Sequence, residues 1–142
     1  MNGSVILDEG IQYRVSFPVK ANTTLEANSM VAIKSGEVQP ATSALFAGGG
    51  TVQLLGLTFD QTKNDSASAQ SFDPPVLVRQ GCTWEANLDL ADPPTSGEVW
   101  LDIAISTGTS VKKTVLGTDR KVKLLELLPG NRALVYVYPP LP

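Results

Sequence analysis

The sequence predicts a mostly β protein, and three observations carry the expectation. Short runs of alternating apolar and polar residues recur from residue 11 almost to the end. Between them stand 12 glycines and 10 prolines, with only 18% of residues charged, a composition that suits a turn-rich sheet protein better than a helical one. No window keeps helical periodicity over more than about ten residues. At 142 residues the chain has the length of one ordinary domain. A domain of that size buries roughly two-thirds of the surface its unfolded chain exposes, enough for a real core.

The elements follow in order. In "IQYRVSFPV", Ile11, Tyr13, Val15, Phe17 and Val19 alternate with Gln12, Arg14 and Ser16, the pattern of a half-buried strand, and Pro18 marks an edge or an end. "MVAIKSGEVQP" joins an apolar strand to a Ser35-Gly36 turn. "TVQLLGLTFD" is a longer strand in which Gly56 suits a bulge. "PPVLVRQG" reads as a strand, and "TWEANLDL" as either a strand or one short helical turn. "EVWLDIAIS" puts Val99, Leu101, Ile103 and Ile105 on one face, with Trp100, Asp102 and Ala104 on the other. In "KVKLLELLPGNRALVYVYPP", Pro129-Gly130-Asn131 is a turn between two strands, and Tyr136 and Tyr138 share a face. Two segments read as mobile. Residues 60–75 are polar and small and close on two prolines, which suits a surface loop, and residues 1–10 carry a single apolar cluster, Val5-Ile6-Leu7.

The residue inventory leaves little room for catalysis. There is no His, which removes the commonest general base and metal ligand and every Ser–His or Cys–His pair. Cys82 is the sole cysteine, so neither an intrachain disulfide nor a Cys-rich zinc site can form, and a buried filler is its expected role. In "LFAGGGTVQLLGL" the glycine triplet suggests a phosphate cradle, but no Gly-Lys-Ser/Thr follows and no helix opens after it. Glu98 and Asp102 share a strand face at a spacing a glycosidase pair could use, but a solvated strand face flanking Trp100 is the better reading. Asp60, Asn64 and Asp65 lack the EF-hand spacing and its glycine, so a polar loop is the better reading. No enzyme, metal or cofactor is expected.

Charge bears on partners. Residues 1–111 hold twelve acids and five bases, a balance of −7, while residues 112–142 hold six bases and two acids, a balance of +4. A −7 body repels a phosphate backbone, so nucleic acid is not an expected partner. No segment approaches the ~18 apolar residues that span a membrane, and "MNGSVILDEG" lacks the basic start of a signal peptide. The cluster "VKKTVLGTDRKVKLL" reads either as the wet face of a hairpin or as a cationic surface for an acidic neighbour, such as another copy.

The run "TLEANSMVAIKSGEVQPATSALFAGGGTVQLLGLTFDQTKND" resembles the lambda type of bacteriophage head decoration (cement) proteins in the order of its elements. That order is a lead-in loop, an "NSMVAI" strand, an "SGEVQPAT" hairpin, a Gly-rich loop and a "QLLGLTFDQ" strand, continued by "PPVLVRQGCTWEANLDL". The resemblance covers roughly residues 20–106. It implies a small β-barrel-like "tulip" body with a short helical turn, and it makes the glycine triplet a hairpin tip on a surface.

It also implies a structural virion protein, made in the host cytoplasm, that sits as a homotrimer on the outer capsid and clamps adjacent major capsid protein subunits. Residues 1–10 would then be a capsid-binding arm, 11–106 the decoration domain and 107–142 a β-hairpin extension that either completes its own protomer or crosses to a neighbour. Val5, Ile6, Leu7, Ile11 and Tyr13 are the candidate capsid contacts. Trp84, Trp100, Lys112, Lys113, Lys121, Lys123, Tyr136 and Tyr138 are the candidate trimer contacts, the tryptophans because Trp is enriched at interface cores. The alternative is a carbohydrate- or receptor-binding β module of a phage fibre, with Trp84 or Trp100 as a stacking platform.

Overall fold

The computed structural model describes residues 5–6, 11–94, 100–103, 110–113 and 122–138. Its elements are β1 (Val5–Ile6), β2 (Ile11–Val15), β3 (Thr23–Leu25), β4 (Met30–Lys34), β5 (Glu37–Pro40), α1 (Ser43–Ala47), β6 (Val52–Thr58), β7 (Thr62–Asn64), β8 (Val76–Gln80), β9 (Cys82–Leu88), β10 (Trp100–Ile103), β11 (Ser110–Lys113), β12 (Val122–Leu128) and β13 (Arg132–Val137). The chain is mostly β, with one short helix among the described residues.

Five strands form a central sheet in the order β2-β8-β6-β4-β5. Its residues alternate between two cores. Met30, Ala32 and Leu57 point to one side, where they meet Trp84, Leu101, Val111, Val122 and Val135 of the larger sheet. Val15, Val31, Val38, Leu55, Val76 and Val78 point to the other, where Val19, Leu25 and Phe72 cover them. The central sheet is thus a partition covered on both faces at its middle, which is why β4 and the second half of β6 read as nearly continuous apolar runs while the edge strand β2 alternates. Each fully buried Leu, Val or Met here contributes about 1.5–3 kcal/mol.

The larger sheet runs β1-β9-β11-β10-β12-β13, and β13 pairs back onto β9. The pairings make a circuit without a regular closed barrel. β11 meets β9 only at Asn87 and Leu88, in parallel, while β1 holds Glu85 and Trp84 on that same edge. On the opposite edge β13 pairs with β9 from Cys82 to Asn87. A single residue, Gly81, separates β8 from β9, so the chain steps directly from one sheet to the other. The third sheet is the small β3–β7 pair.

Local chemistry accounts for the turns. Ser35 and Gly36 both have positive φ, 55° and 74°, the conformation of a two-residue turn whose twist matches its strands. In β6 the register jumps from Val31↔Gly56 to Ala32↔Leu54, leaving Leu55 as the extra residue of a bulge. Gly56 has φ 143°, and a Cβ there would run into the Arg79 carbonyl oxygen, so only glycine fits.

Four expectations need correction. The short helical turn does not fall in "TWEANLDL", where the strand alternative holds as β9 up to Leu88. The helical turn is α1, whose N-cap Thr42 accepts from the Leu45 N–H. The glycine triplet ends that helix and is not a hairpin tip: the Gly48 N–H bonds the Ala44 carbonyl, and Gly49 and Gly50 turn the chain with φ near 79° and 78°.

The strand expected over 11–19 stops at Val15, and Ile11, Tyr13 and Phe17 are exposed because β2 lies at the sheet's edge with only β8 beside it. Residues 60–75 are tied down by Asn64, which is 1% exposed. Its amide nitrogen donates to the carbonyls of Val19, Lys20 and Ser68, and its oxygen accepts from the N–H and hydroxyl of Ser66.

Candidate docking surface

The two edges of the central sheet are treated differently. The β5 edge is capped: the Val38 N–H bonds the Pro18 carbonyl at 2.8 Å, and the Lys20 N–H bonds the Val38 carbonyl at 3.0 Å. No described residue caps the β2 edge. That open edge carries Ile11 and Tyr13, 52% and 45% exposed, and Phe17 follows at 49%. Large exposed side chains on an uncovered edge are what sheet proteins ordinarily avoid.

A groove of about 370 Å³ opens beside this edge, lined by Tyr13 to Phe17 together with Ile33, Gln53, Leu55, Val78 and Gln80. Its origin is the bulge. β6 and β8 pair only at Leu57↔Arg79 and Thr58↔Val78, and beyond that point they part. The Gln80 side-chain amide takes over and donates to the Leu55 carbonyl. The groove is the half of the second face that Val19, Leu25 and Phe72 leave uncovered. Its floor is aliphatic with the buried Gln80 among it, and its rim holds two exposed aromatic rings and the exposed amide of Gln53. Its size falls within the ~300–1,000 Å³ of small-ligand pockets.

The structure separates the candidate contacts. Ile11 and Tyr13 stand on the open β2 edge. Val5 and Ile6 pair with Glu85 and Trp84 of β9 in their own chain, whereas Leu7 lies outside the described residues. Trp84 is 0% exposed and sits in the first core, so it is withdrawn both as a trimer contact and as a stacking platform: a ring enclosed by its own chain presents no face to a partner. Trp100, Lys112 and Lys113 lie on β10 and β11, where the backbone register is set but the side chains are outside the described residues.

Lys121 and Glu98 also lie outside the described residues, and Asp102 is placed by its backbone alone. Lys123 is half-buried on β12. Tyr136 and Tyr138 meet edge to face with centroids 4.8 Å apart, Tyr138 being 43% exposed. The hairpin β12–β13 pairs with β9 of the same chain. Arg132, one of the six bases of the closing segment, forms an ion pair with Glu85 at 3.2 Å, both half-buried.

Among the described residues no group of three or more His, Cys, Asp or Glu could hold a metal ion. Asp65 pairs with Lys63 on the surface at 3.7 Å, and Asn64 spends its amide on carbonyls, so the Asp60, Asn64 and Asp65 set is divided. Phe17, Gln53 and Gln80 join the surface although no spacing in the sequence connects them. They meet because β8 lies between β2 and β6, with Phe17 just past the end of β2.

Comparison with protein-family models, with curated proteins and with solved structures finds no match to this chain.

Proposed function

We propose that the chain is a non-enzymatic structural virion protein that binds the outer surface of a phage capsid as a homotrimer and stabilises the shell by clamping adjacent major capsid protein subunits. The observation that supports it most is the open β2 edge with Ile11, Tyr13 and Phe17 exposed, a surface built for a macromolecular partner. The order of elements that resembles lambda-type decoration proteins supplies the partner's identity. The mechanism is mass action: a protein that binds only the assembled shell stabilises it in proportion to its own binding free energy, and three linked copies bind multivalently. The test is co-sedimentation with capsids stripped of accessory proteins. Saturable binding at one trimer per local threefold is expected, and failure to pellet with the shells at any ratio would reject the reading.

A second reading draws on the groove, whose exposed Tyr13 and Phe17 rings beside Gln53 and Gln80 suit a carbohydrate- or receptor-binding module of a phage fibre. It predicts binding to immobilised glycans that Tyr13→Ala abolishes. No glycan retained by either protein counts against it.

A further inference from the structure

The open edge of the central sheet has a pattern that reads the same in both directions. From Ile11 to Val15 it runs apolar, polar, aromatic, polar, apolar, with Tyr13 at the centre. Two such strands can lie antiparallel about a twofold axis through Tyr13. Ile11 then faces Val15 of the second copy, Gln12 faces Arg14, and Tyr13 faces Tyr13. Apolar residues oppose apolar ones on the groove face, and each guanidinium opposes an amide. A register centred on Arg14 sets two like charges directly opposite, which is destabilising. One centred on Gln12 leaves Arg14 and Val15 beyond the partner's strand. The Tyr13 register alone pairs all five residues without repulsion.

We infer that β2 pairs with β2 of a second copy of this chain in this register. The contact is isologous, as a twofold requires. It continues the central sheet into its partner and supplies hydrogen-bond partners to the edge that no described residue caps, whereas β5 already has its cap in Pro18 and Lys20. It also brings Ile11 of the second copy beside Val15, a lining residue of the groove, and covers Tyr13. The contact is separate from the threefold proposed above. Because Ile11 and Tyr13 are also put forward for the shell, the pair must open before those residues reach it.

Two variants test the register. Opposed residues of antiparallel strands have Cα atoms about 4.5–5.5 Å apart, within the ~4.4–6.8 Å of a disulfide. Tyr13→Cys therefore cross-links two chains on mild oxidation. In Arg14→Cys the two introduced thiols are offset by two residues, about 8 Å between Cα atoms, and do not cross-link. Cys82 is buried and does not compete. In a parallel measurement by sedimentation equilibrium, Tyr13→Lys halves the assembly mass of the wild type. Position 13 is 45% exposed, so both changes there leave the fold intact. Equal masses for wild type and Tyr13→Lys overturn the pairing. So does cross-linking that fails to prefer position 13 over position 14. A threefold appears as a factor of three in both proteins, so its failure is read independently.

Discussion

Gly56 shows how much one residue can fix. Its backbone stands at φ 143°, and the Arg79 carbonyl fills the place of a side chain. Gly56→Ala should lower stability by about 1–3 kcal/mol from strain alone, and more if the contact with β8 cannot relax; a shifted urea midpoint at unchanged slope checks it. Asn64 is the polar counterpart. Its two N–H bonds are shared among three carbonyls from residues 19, 20 and 68, so Asn64→Ala takes a donor from each, although the Val19 carbonyl keeps the Gln70 N–H and the Ser68 carbonyl keeps the Ser66 hydroxyl. Leaving buried acceptors unsatisfied costs about 1–3 kcal/mol, and the same urea titration should show a loss in that range. Asp65→Ala, next door on the surface, should stay within about 0.5 kcal/mol. If the two variants unfold alike, Asn64 is not the tie described. The sequence displayed Gly56 as a bulge because glycine inside an apolar run has few other uses. It did not display Asn64, because two of the three carbonyls it bonds lie 44 and 45 residues away, and all three belong to backbone, which any residue type supplies.

At the scale of elements, legibility followed coverage. The strand over Met30–Lys34 and its Ser35-Gly36 turn were plain, since a short apolar run followed by Gly admits few alternatives. α1 was hidden because five residues complete too little of a helical period to show one. β9 was ambiguous because Trp84-Glu85-Ala86-Asn87-Leu88 mixes residues at home in either element, and only its pairing with β13 on one edge and β1 and β11 on the other decides it. Alternation in 11–19 correctly marked a two-faced strand but could not say that one face would stay open. That depends on which strand ends a sheet, and sheet order is not written locally. The groove was invisible for the same reason. The β4–β5 turn yields a prediction of its own: Ser35 holds φ 55°, a conformation Asn tolerates far better, so Ser35→Asn should raise stability by roughly 0.5–1 kcal/mol. A higher thermal midpoint checks it, and a lower one would mean that Ser35 makes some contact that Asn cannot replace.

For the whole molecule the question is how the −7 body and the +4 closing segment are used. Arg132 already pairs with Glu85 of its own chain. Replacing Lys112, Lys113, Lys121 and Lys123 together with Gln tests the rest of the segment. Single exposed pairs are worth about 0–1 kcal/mol, so the change should appear only as a sum, in assembly stability or capsid affinity below ~0.1 M salt, and fade toward 1 M. Identical behaviour at low salt assigns those lysines to a solvated face. Removing residues 2–10 severs only the two-residue β1–β9 pairing among the described residues, so folding should survive while binding to shells is lost. Retained binding would move the docking site away from the N-terminal segment. The position of β9 also sets an order of events during synthesis. Val135 and Lys113 come from the last thirty residues, yet Val135 lies opposite Trp84, and Val122 is needed to close the first core around it. While the ribosome is still making residues 89–137, the nascent chain holds Trp84 on a strand whose β13 edge has nothing beside it. A stalled or truncated product lacking 122–138 would therefore carry an aromatic residue in the open on an unpaired strand. Such fragments should be drawn into aggregates or degraded rather than persist as partial domains.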